Sequence, residues 1–216
     1  MTGRFETELS HLLAETREMG VLARGMYRDA VRALIQQDQT LASSVSARKT
    51  GLRDRLHQVE DDAYLILTLY QPVARDLRAV VSCLKVASAL ERIGRYGKDI
   101  ATIVGYLSDT PHISNLLSIP HMADTVEEMV DLALHAFETS DPSLVQDFSS
   151  RDDRVDALGY SIFRECVTYM LEDPRNITRC ANYVMVARYL ERAADHACTI
   201  AEATIFMQTG ERVEIK

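Results

Sequence analysis

The apolar residues of this chain recur at steps of three and four positions over long stretches, a spacing that predicts amphipathic helices. Capping residues and prolines interrupt this pattern at Asp38, Pro72, Asp141 and Pro174. In the first half the predicted helices run from about residue 6 to 37, from that break to 70, and on to about 108. In the second half they end near residues 139, 172 and 208. The pattern predicts an all-α fold.

One stretch of the pattern occurs twice, one hundred positions apart. The residues that are identical in both copies are Val86, Ala87, Leu90, Glu91, Arg92, Ile100 and Ala101. Unrelated segments of this length share about one residue, so the chain is predicted to be an internal duplication. Because short turns make consecutive helices pack antiparallel, we expect two tandem three-helix bundles over residues 1–110 and 116–216, which follow one another as an elongated rod or V.

The composition narrows the function classes. A net charge of −8 disfavours a nucleic-acid binder, because phosphate contacts need a basic face. No apolar run approaches the roughly 20 residues that span a bilayer, and the first residues lack the apolar centre of a signal peptide. We therefore expect a cytoplasmic protein whose four cysteines are reduced core residues.

Carboxylates lie beside the apolar seam of the last helix in each half. Glu91 and Glu191 flank the seam, and Asp195 follows Glu191 by one helical turn. The preceding helix of the second half opens with three more acids, Asp152, Asp153 and Asp156. If these two helices are antiparallel, four or five carboxylates converge on one flank. Such oxygen-rich clusters suit hard cations or carboxylate-bridged iron, manganese or zinc.

Other interpretations of these acids stay open. Acidic residues on the flank of a long helix are usually a solvated face, and Arg192 can neutralise part of the cluster without a metal. A carboxylate-bridged metalloenzyme needs its ligands inside the bundle, whereas these acids flank the seam. A plain helical scaffold, with acids that serve solubility alone, is the third alternative.

Several segments of the chain resemble motifs of one known family. Residues 190–197, with the sequence LERAADHA, and residues 90–94, LERIG, resemble the duplicated ERIGD-type signature of the PhoU family of phosphate-uptake regulators. Residues 71–78, QPVARDLR, are similar to its QPxAxDLR segment. Residues 152–156 resemble the acidic opening of its fifth helix, and residues 170–174 resemble the break that follows. The resemblance covers essentially the whole chain, with the motifs in the expected order.

The resemblance implies a cytoplasmic, non-catalytic regulator built from two three-helix bundles. Its implied partners are the ATPase subunit of the phosphate ABC transporter and the sensor histidine kinase of the phosphate regulon, whose signalling the family keeps off when phosphate is plentiful. Contact with the membrane would then run through these partners only. Long amphipathic helices also make a homodimer an expectation.

The resemblance also implies a metal site, because some members hold multinuclear iron or zinc clusters on the bundle surface through E/DxxxD motifs. The second half supplies as ligands Asp152, Asp153, Asp156, Glu191 and Asp195. The first half departs from the pattern, since Arg95 replaces the signature aspartate and the acidic pair is matched by Thr50 and Gly51. Its remaining candidate ligands are Asp54, Glu91 and Asp99. We expect a metal-poor first half in which Arg95 pairs with Glu91 and Asp99.

Overall fold

The computed structural model describes residues 2–116 and 118–215, without the side chains of Thr2 and Asn115. Its α-helices are α1 (Thr2–Gln36), α2 (Gln39–Ala47), α3 (Lys49–Tyr70), α4 (Ala74–Leu107), α5 (Ile119–Thr139), α6 (Phe148–Glu172) and α7 (Ile177–Thr209). Short 3-10 helices occur at Ile113–Leu116, Pro142–Val145 and Pro174–Asn176. The described residues contain no strand, and the all-α prediction is confirmed.

The predicted helix breaks are present, and two of them are held by aspartate caps. Asp38 accepts a hydrogen bond from the Leu41 amide at 2.9 Å, and Asp141 accepts one from the Ser143 amide at 2.9 Å. One further break, at Arg48, was not predicted. It divides the middle helix of the first half into α2 and α3, which lets the short α2 pack across both α1 and α4.

The first bundle consists of α1 to α4 and the second of α5 to α7, and their buried apolar residues form one continuous core. The last helices of the two halves pack along each other. Ser82 on α4 donates a hydrogen bond to the Ala203 carbonyl on α7 at 3.0 Å, and Tyr96 stacks on Tyr189 with ring centroids 5.9 Å apart. These pairings make α4 and α7 antiparallel. The two bundles therefore lie side by side on a shared core and not end to end as a rod.

The connection between the bundles is fixed at His112. Its Nε2 lies 2.9 Å from the Leu34 carbonyl of α1, and its Nδ1 lies 3.0 Å from the Tyr183 hydroxyl of α7. That hydroxyl also accepts a hydrogen bond from the Ile113 amide at 3.1 Å. Burial lowers the pKa of His112 and so favours the neutral form of its ring. The connection is thus bonded to both bundles.

All four cysteines, Cys83, Cys166, Cys180 and Cys198, are buried with free thiols, as predicted. Among the helices that the structure describes, none combines the length and the apolar character that crossing a bilayer requires.

Candidate functional site

The structure brings the acids of the second half together between α6 and α7, and we call Asp152, Asp153, Asp156, Glu191 and Asp195 the acidic flank. Burial raises the pKa of Asp152 to about 6, helped by the negative charges of Asp156 and Asp195. The pKa of Asp156 is also raised, first by burial and then by Asp195 and Asp153. Carboxylates on two antiparallel helices are therefore close enough to repel each other.

Two arginines on α7 balance part of this charge. Arg188 donates a hydrogen bond to Glu191 one turn away, and Arg192 lies 3.7 Å from Asp195. Burial still raises the pKa of Glu191, although Arg188 opposes that shift. Five carboxylates facing two guanidinium groups leave the acidic flank with surplus negative charge.

Cys198 lies beside the acidic flank, a proximity that sequence reasoning missed. The cysteine is buried on α7, and its thiol is close enough to the Asp152 carboxyl for each group to shift the pKa of the other. Burial and the nearby carboxylates raise the pKa of the Cys198 thiol, so it is protonated at neutral pH. The sequence predicts only a core cysteine, because the neighbouring carboxyl belongs to Asp152, which lies 46 positions earlier in the chain.

A groove of about 300 Å³ continues from the acidic flank between α6 and α7. Asp156, Glu191 and Arg188 line one end of the groove, and Tyr160, Phe163 and Val184 line the other. Gly159 leaves room along α6, since a Cβ there would meet only Met122 Cε at 3.5 Å and Glu191 Oε2 at 4.0 Å. The exposed Tyr160 and Phe163 were not identified from the sequence, because nothing in their spacing distinguishes them from core residues.

The equivalent acids of the first half are held in ion pairs. Glu91 lies 3.9 Å from Arg95 and 3.9 Å from Arg92, so the predicted pairing with Arg95 is present. Asp99 differs from the expectation, because its partner is Lys98 at 3.1 Å. The third candidate of this half, Asp54, is exposed on α3.

Burial shows how α3 corresponds to α6. The buried residues Leu52, Val59 and Ala63 of α3 match Val155, Ile162 and Cys166 of α6 with a constant offset of 103 positions. Lys49 therefore stands where the second half has Asp152, and Arg53 stands where it has Asp156. The match of Thr50 and Gly51 to the acidic pair is wrong by one residue, and Asp54 corresponds to Ala157.

The acidic flank as placed does not form a closed metal site. Within residues 2–116 and 118–215, no three His, Cys, Asp or Glu side chains converge in a way that holds one ion. Metal binding by the acidic flank remains a prediction, and it requires these side chains to change rotamer.

Comparison with known proteins is consistent with the duplicated fold. A family model described as the PhoU domain matches residues 16–104 and again residues 119–204. The chain is 36% identical over 207 residues to the "Phosphate-specific transport system accessory protein PhoU homolog" of Rhizobium meliloti (strain 1021), covering 95% of this chain and 87% of that protein. The protein of the same description from Caulobacter vibrioides is 38% identical, with 95% and 90% covered.

Solved structures show the same architecture. The crystal structure of PhoU from Pseudomonas aeruginosa superposes with a TM-score of 0.91 at 34% identity, covering 96% of this chain and all of that one. The phosphate transport system regulatory protein PhoU from Streptococcus pneumoniae gives a TM-score of 0.89 at 25% identity, with 97% and 99% covered. Both repeats and nearly the full length are matched, so this chain belongs to the PhoU family.

Proposed function

We propose that this protein is a non-catalytic regulator of phosphate uptake and of phosphate-responsive signalling. It works on the cytoplasmic side of the membrane, by contact with the ATPase subunit of a phosphate ABC transporter, with the sensor histidine kinase of the phosphate regulon, or with both. The observation that carries the proposal is the match of both repeats to the PhoU domain. Relatives named as accessory proteins of phosphate-specific transport align with 95% of the chain, which supports the same role here.

The chemistry of the core supports a role without catalysis. The polar residues that the structure shows fully buried are Thr16, Ser82, Thr125 and Thr204. Each of these hydroxyls donates a hydrogen bond to a backbone carbonyl. Catalytic sites place ionisable groups with shifted pKa values in a cleft that excludes water, whereas the shifted carboxylates here border a groove on the solvent-exposed flank of the second bundle.

Regulation by contact requires the protein to bind two states of its partner with different affinities. A regulator that binds the ATP-bound and nucleotide-free forms of the transporter ATPase equally shifts neither population. The proposal therefore predicts unequal dissociation constants for those two forms, or for the active and inactive forms of the kinase domain.

The test combines a strain and a binding measurement. A strain that lacks the gene, with a phosphate-responsive reporter, should show high reporter activity in rich phosphate, and the restored gene should return it to the low level. Purified transporter ATPase and kinase domain, with and without nucleotide, are then titrated against the protein by calorimetry. Unchanged reporter activity without the gene, together with no binding to either partner, would overturn the proposal.

We further propose that the acidic flank holds iron or zinc. Clusters of carboxylates suit hard cations and carboxylate-bridged iron, manganese or zinc, and iron and zinc are the two that the family resemblance implies. The pKa of Asp152 is raised first by burial and then by the charges of Asp156 and Asp195, and a cation would relieve that repulsion. Surface side chains change rotamer at small cost, so the present arrangement can close around an ion.

Elemental mass spectrometry on the untagged protein tests this metal proposal. The double variant Asp156→Asn/Glu191→Gln should lose a stoichiometric transition metal. The matched control, Glu91→Gln/Asp99→Asn in the first half, should keep it. Equal metal content in the wild type and in the Asp156→Asn/Glu191→Gln variant would refute the site.

A further inference from the structure

Helix α6 carries two lines of apolar residues on different faces. Val155, Ile162 and Cys166 form the buried line that packs in the core. The second line, which we call the outer stripe, consists of Tyr160, Phe163, Val167 and Leu171, with exposed fractions of 66%, 49%, 37% and 81%. Their spacing of three, four and four residues puts them on one side of the helix. Single exposed apolar residues are ordinary, but a continuous exposed line indicates an interaction surface.

The outer stripe borders the groove that ends at the acidic flank. Tyr160 and Phe163 belong to both, and the stripe spans about 16 Å at a rise of about 1.5 Å per residue. That is the length of about three helical turns. An apolar line of this length beside a groove fits the apolar face of a short helix.

The first half shows that the fold does not require this surface. At the positions equivalent to Tyr160 and Phe163, helix α3 has His57 and Glu60. At the position of Gly159 it has Leu56, which packs against the core. At the positions of Val167 and Leu171, helix α3 has Tyr64, which is also exposed, and Thr68. The same helix pair thus exists in one molecule with the groove space occupied and with polar residues at the groove end of the stripe. The groove and the apolar pair Tyr160 and Phe163 that borders it are properties of the second half alone.

We propose that the groove between α6 and α7 receives an amphipathic helix of a partner protein. The apolar face of that helix lies on the outer stripe, and a lysine or arginine at one end lies beside Asp156 and Glu191. This inference rests on the proposed function, since it specifies the kind of segment through which a partner is held. In the metal-free protein the carboxylates of the acidic flank outnumber Arg188 and Arg192, so this end of the groove selects a basic end of the helix and repels an acidic one, as it also repels an anionic lipid surface.

A designed peptide tests the surface directly. The probe is a fluorescein-labelled helical peptide of about 15 residues, with leucines along one face and two lysines at one end. A second peptide has glutamates in place of both lysines. Fluorescence anisotropy should show that the lysine peptide binds at least about tenfold more tightly, and amide shifts in labelled protein should map to residues 156–171 and 184–191. Equal binding of the two peptides, or shifts elsewhere, would overturn the proposal.

Three variants test whether peptide binding depends on the groove or on other exposed residues. Tyr160→His/Phe163→Glu gives α6 the residues that α3 carries, and Gly159→Leu fills the groove as Leu56 fills its counterpart. Each should weaken binding of the lysine peptide by about tenfold or more with an unchanged circular dichroism spectrum. The matched control is Tyr106→His, at a tyrosine on α4 that is 71% exposed, and it should bind as the wild type does.

The reporter strain distinguishes failure of this inference from failure of the proposed function. If the restored wild-type gene represses the reporter and the Tyr160→His/Phe163→Glu and Gly159→Leu genes do not, the groove is the docking site. If all of these genes repress equally, the groove inference is wrong and the proposed function stands. If the wild-type gene has no effect, the proposed function itself fails. Dissociation of a wild-type dimer in the groove variants, measured by sedimentation, would assign the groove to a second copy and overturn the proposal.

Discussion

The two flanks of this protein share one backbone arrangement and have opposite charge. Helices α3 and α4 present Lys49, Arg53 and Arg95 where α6 and α7 present Asp152, Asp156 and Asp195. Glu91 is paired with Arg95 in the first half and Glu191 with Arg188 in the second, but Glu191 belongs to a group of five carboxylates that faces only two arginines. A duplicated fold can therefore keep its core and change its surface chemistry completely, because the buried residues alone set the packing of the helices.

The flanks also differ in how closely their helices approach the rest of the bundle. At Gly97 on α4, an added Cβ would lie 2.9 Å from the Met26 carbonyl oxygen and 3.0 Å from the Tyr27 nitrogen, both backbone atoms of α1. The equivalent residue on α7 is Ala197, which is fully buried. The first bundle is therefore packed more tightly at this layer than the second, and glycine is required there.

The largest expected effects come from two single variants that give each of these positions the residue of the other. Gly97→Ala forces α1 away from α4, so the free energy of unfolding of this variant should be lower than that of the wild type by about 1–3 kcal/mol. Ala197→Gly loses helix propensity and a buried methyl group, which costs about 1–2 kcal/mol. Urea denaturation measures both. If Gly97→Ala is as stable as the wild type, the two bundles are packed alike at this layer.

A smaller effect of opposite sign is expected at the acidic flank. The pKa of Asp152 is raised from its ordinary value of 3.8 to about 6, so the folded protein binds more protons than the unfolded chain between these pH values. Stability from this group is then present below pH 4 and is lost as the pH rises through about 6. Asp152→Asn should exceed the wild type by about 1 kcal/mol at pH 7, after allowing for solvent screening of a half-exposed group.

Denaturation from pH 4 to 8 in the presence of a chelator provides the measurement. The difference between Asp152→Asn and the wild type should shrink towards zero at pH 4. A constant difference across this range would show that the carboxylate does not titrate as described.

The smallest expected effect lies in the ion pair of the first flank. Arg95→Ala removes a partner of Glu91 at the surface, which should lower the free energy of unfolding by about 0.3–0.5 kcal/mol. In 1 M salt this difference should vanish, because the pair is screened. Removal of charge thus destabilises one flank and stabilises the other, and a stabilising Arg95→Ala would contradict this contrast.

Much of the architecture was predictable because the features that determine it can be recognised directly in the sequence. Caps such as Asp38 and Asp141 mark helix ends in the sequence, and identical residues at an offset of one hundred positions reveal the duplication. The break at Arg48 was not predictable, since neither proline nor a capping side chain marks it. The side-by-side packing was missed for a different reason, because α4 and α7 bury residues on more than one face.

The candidate site was predictable only in part. The acids of the acidic flank can be identified directly in the sequence, and their helical spacing predicted that they lie on one flank of the bundle. The register between α3 and α6 depends on which residues are buried, and the match of Thr50 to Asp152 was therefore wrong by one position. Phe163 and Ile162 are apolar neighbours on one helix, and only the packing of α6 shows that one is half exposed and the other is buried.

The antiparallel pairing of α4 with α7 has a consequence for symmetry. Two copies of one helix that pair in this way form an isologous interface. In such an interface, if position i of the first copy contacts position j of the second, then position j of the first copy contacts position i of the second. In this protein both copies belong to one chain, so the pseudo-two-fold axis lies inside a monomer near Ile93 and Ala193, and their association does not depend on concentration. A dimer encoded by a single copy must display identical faces. The covalent pair can display an ion-paired face and an acidic face at once, which gives the molecule a polarity that a homodimer lacks.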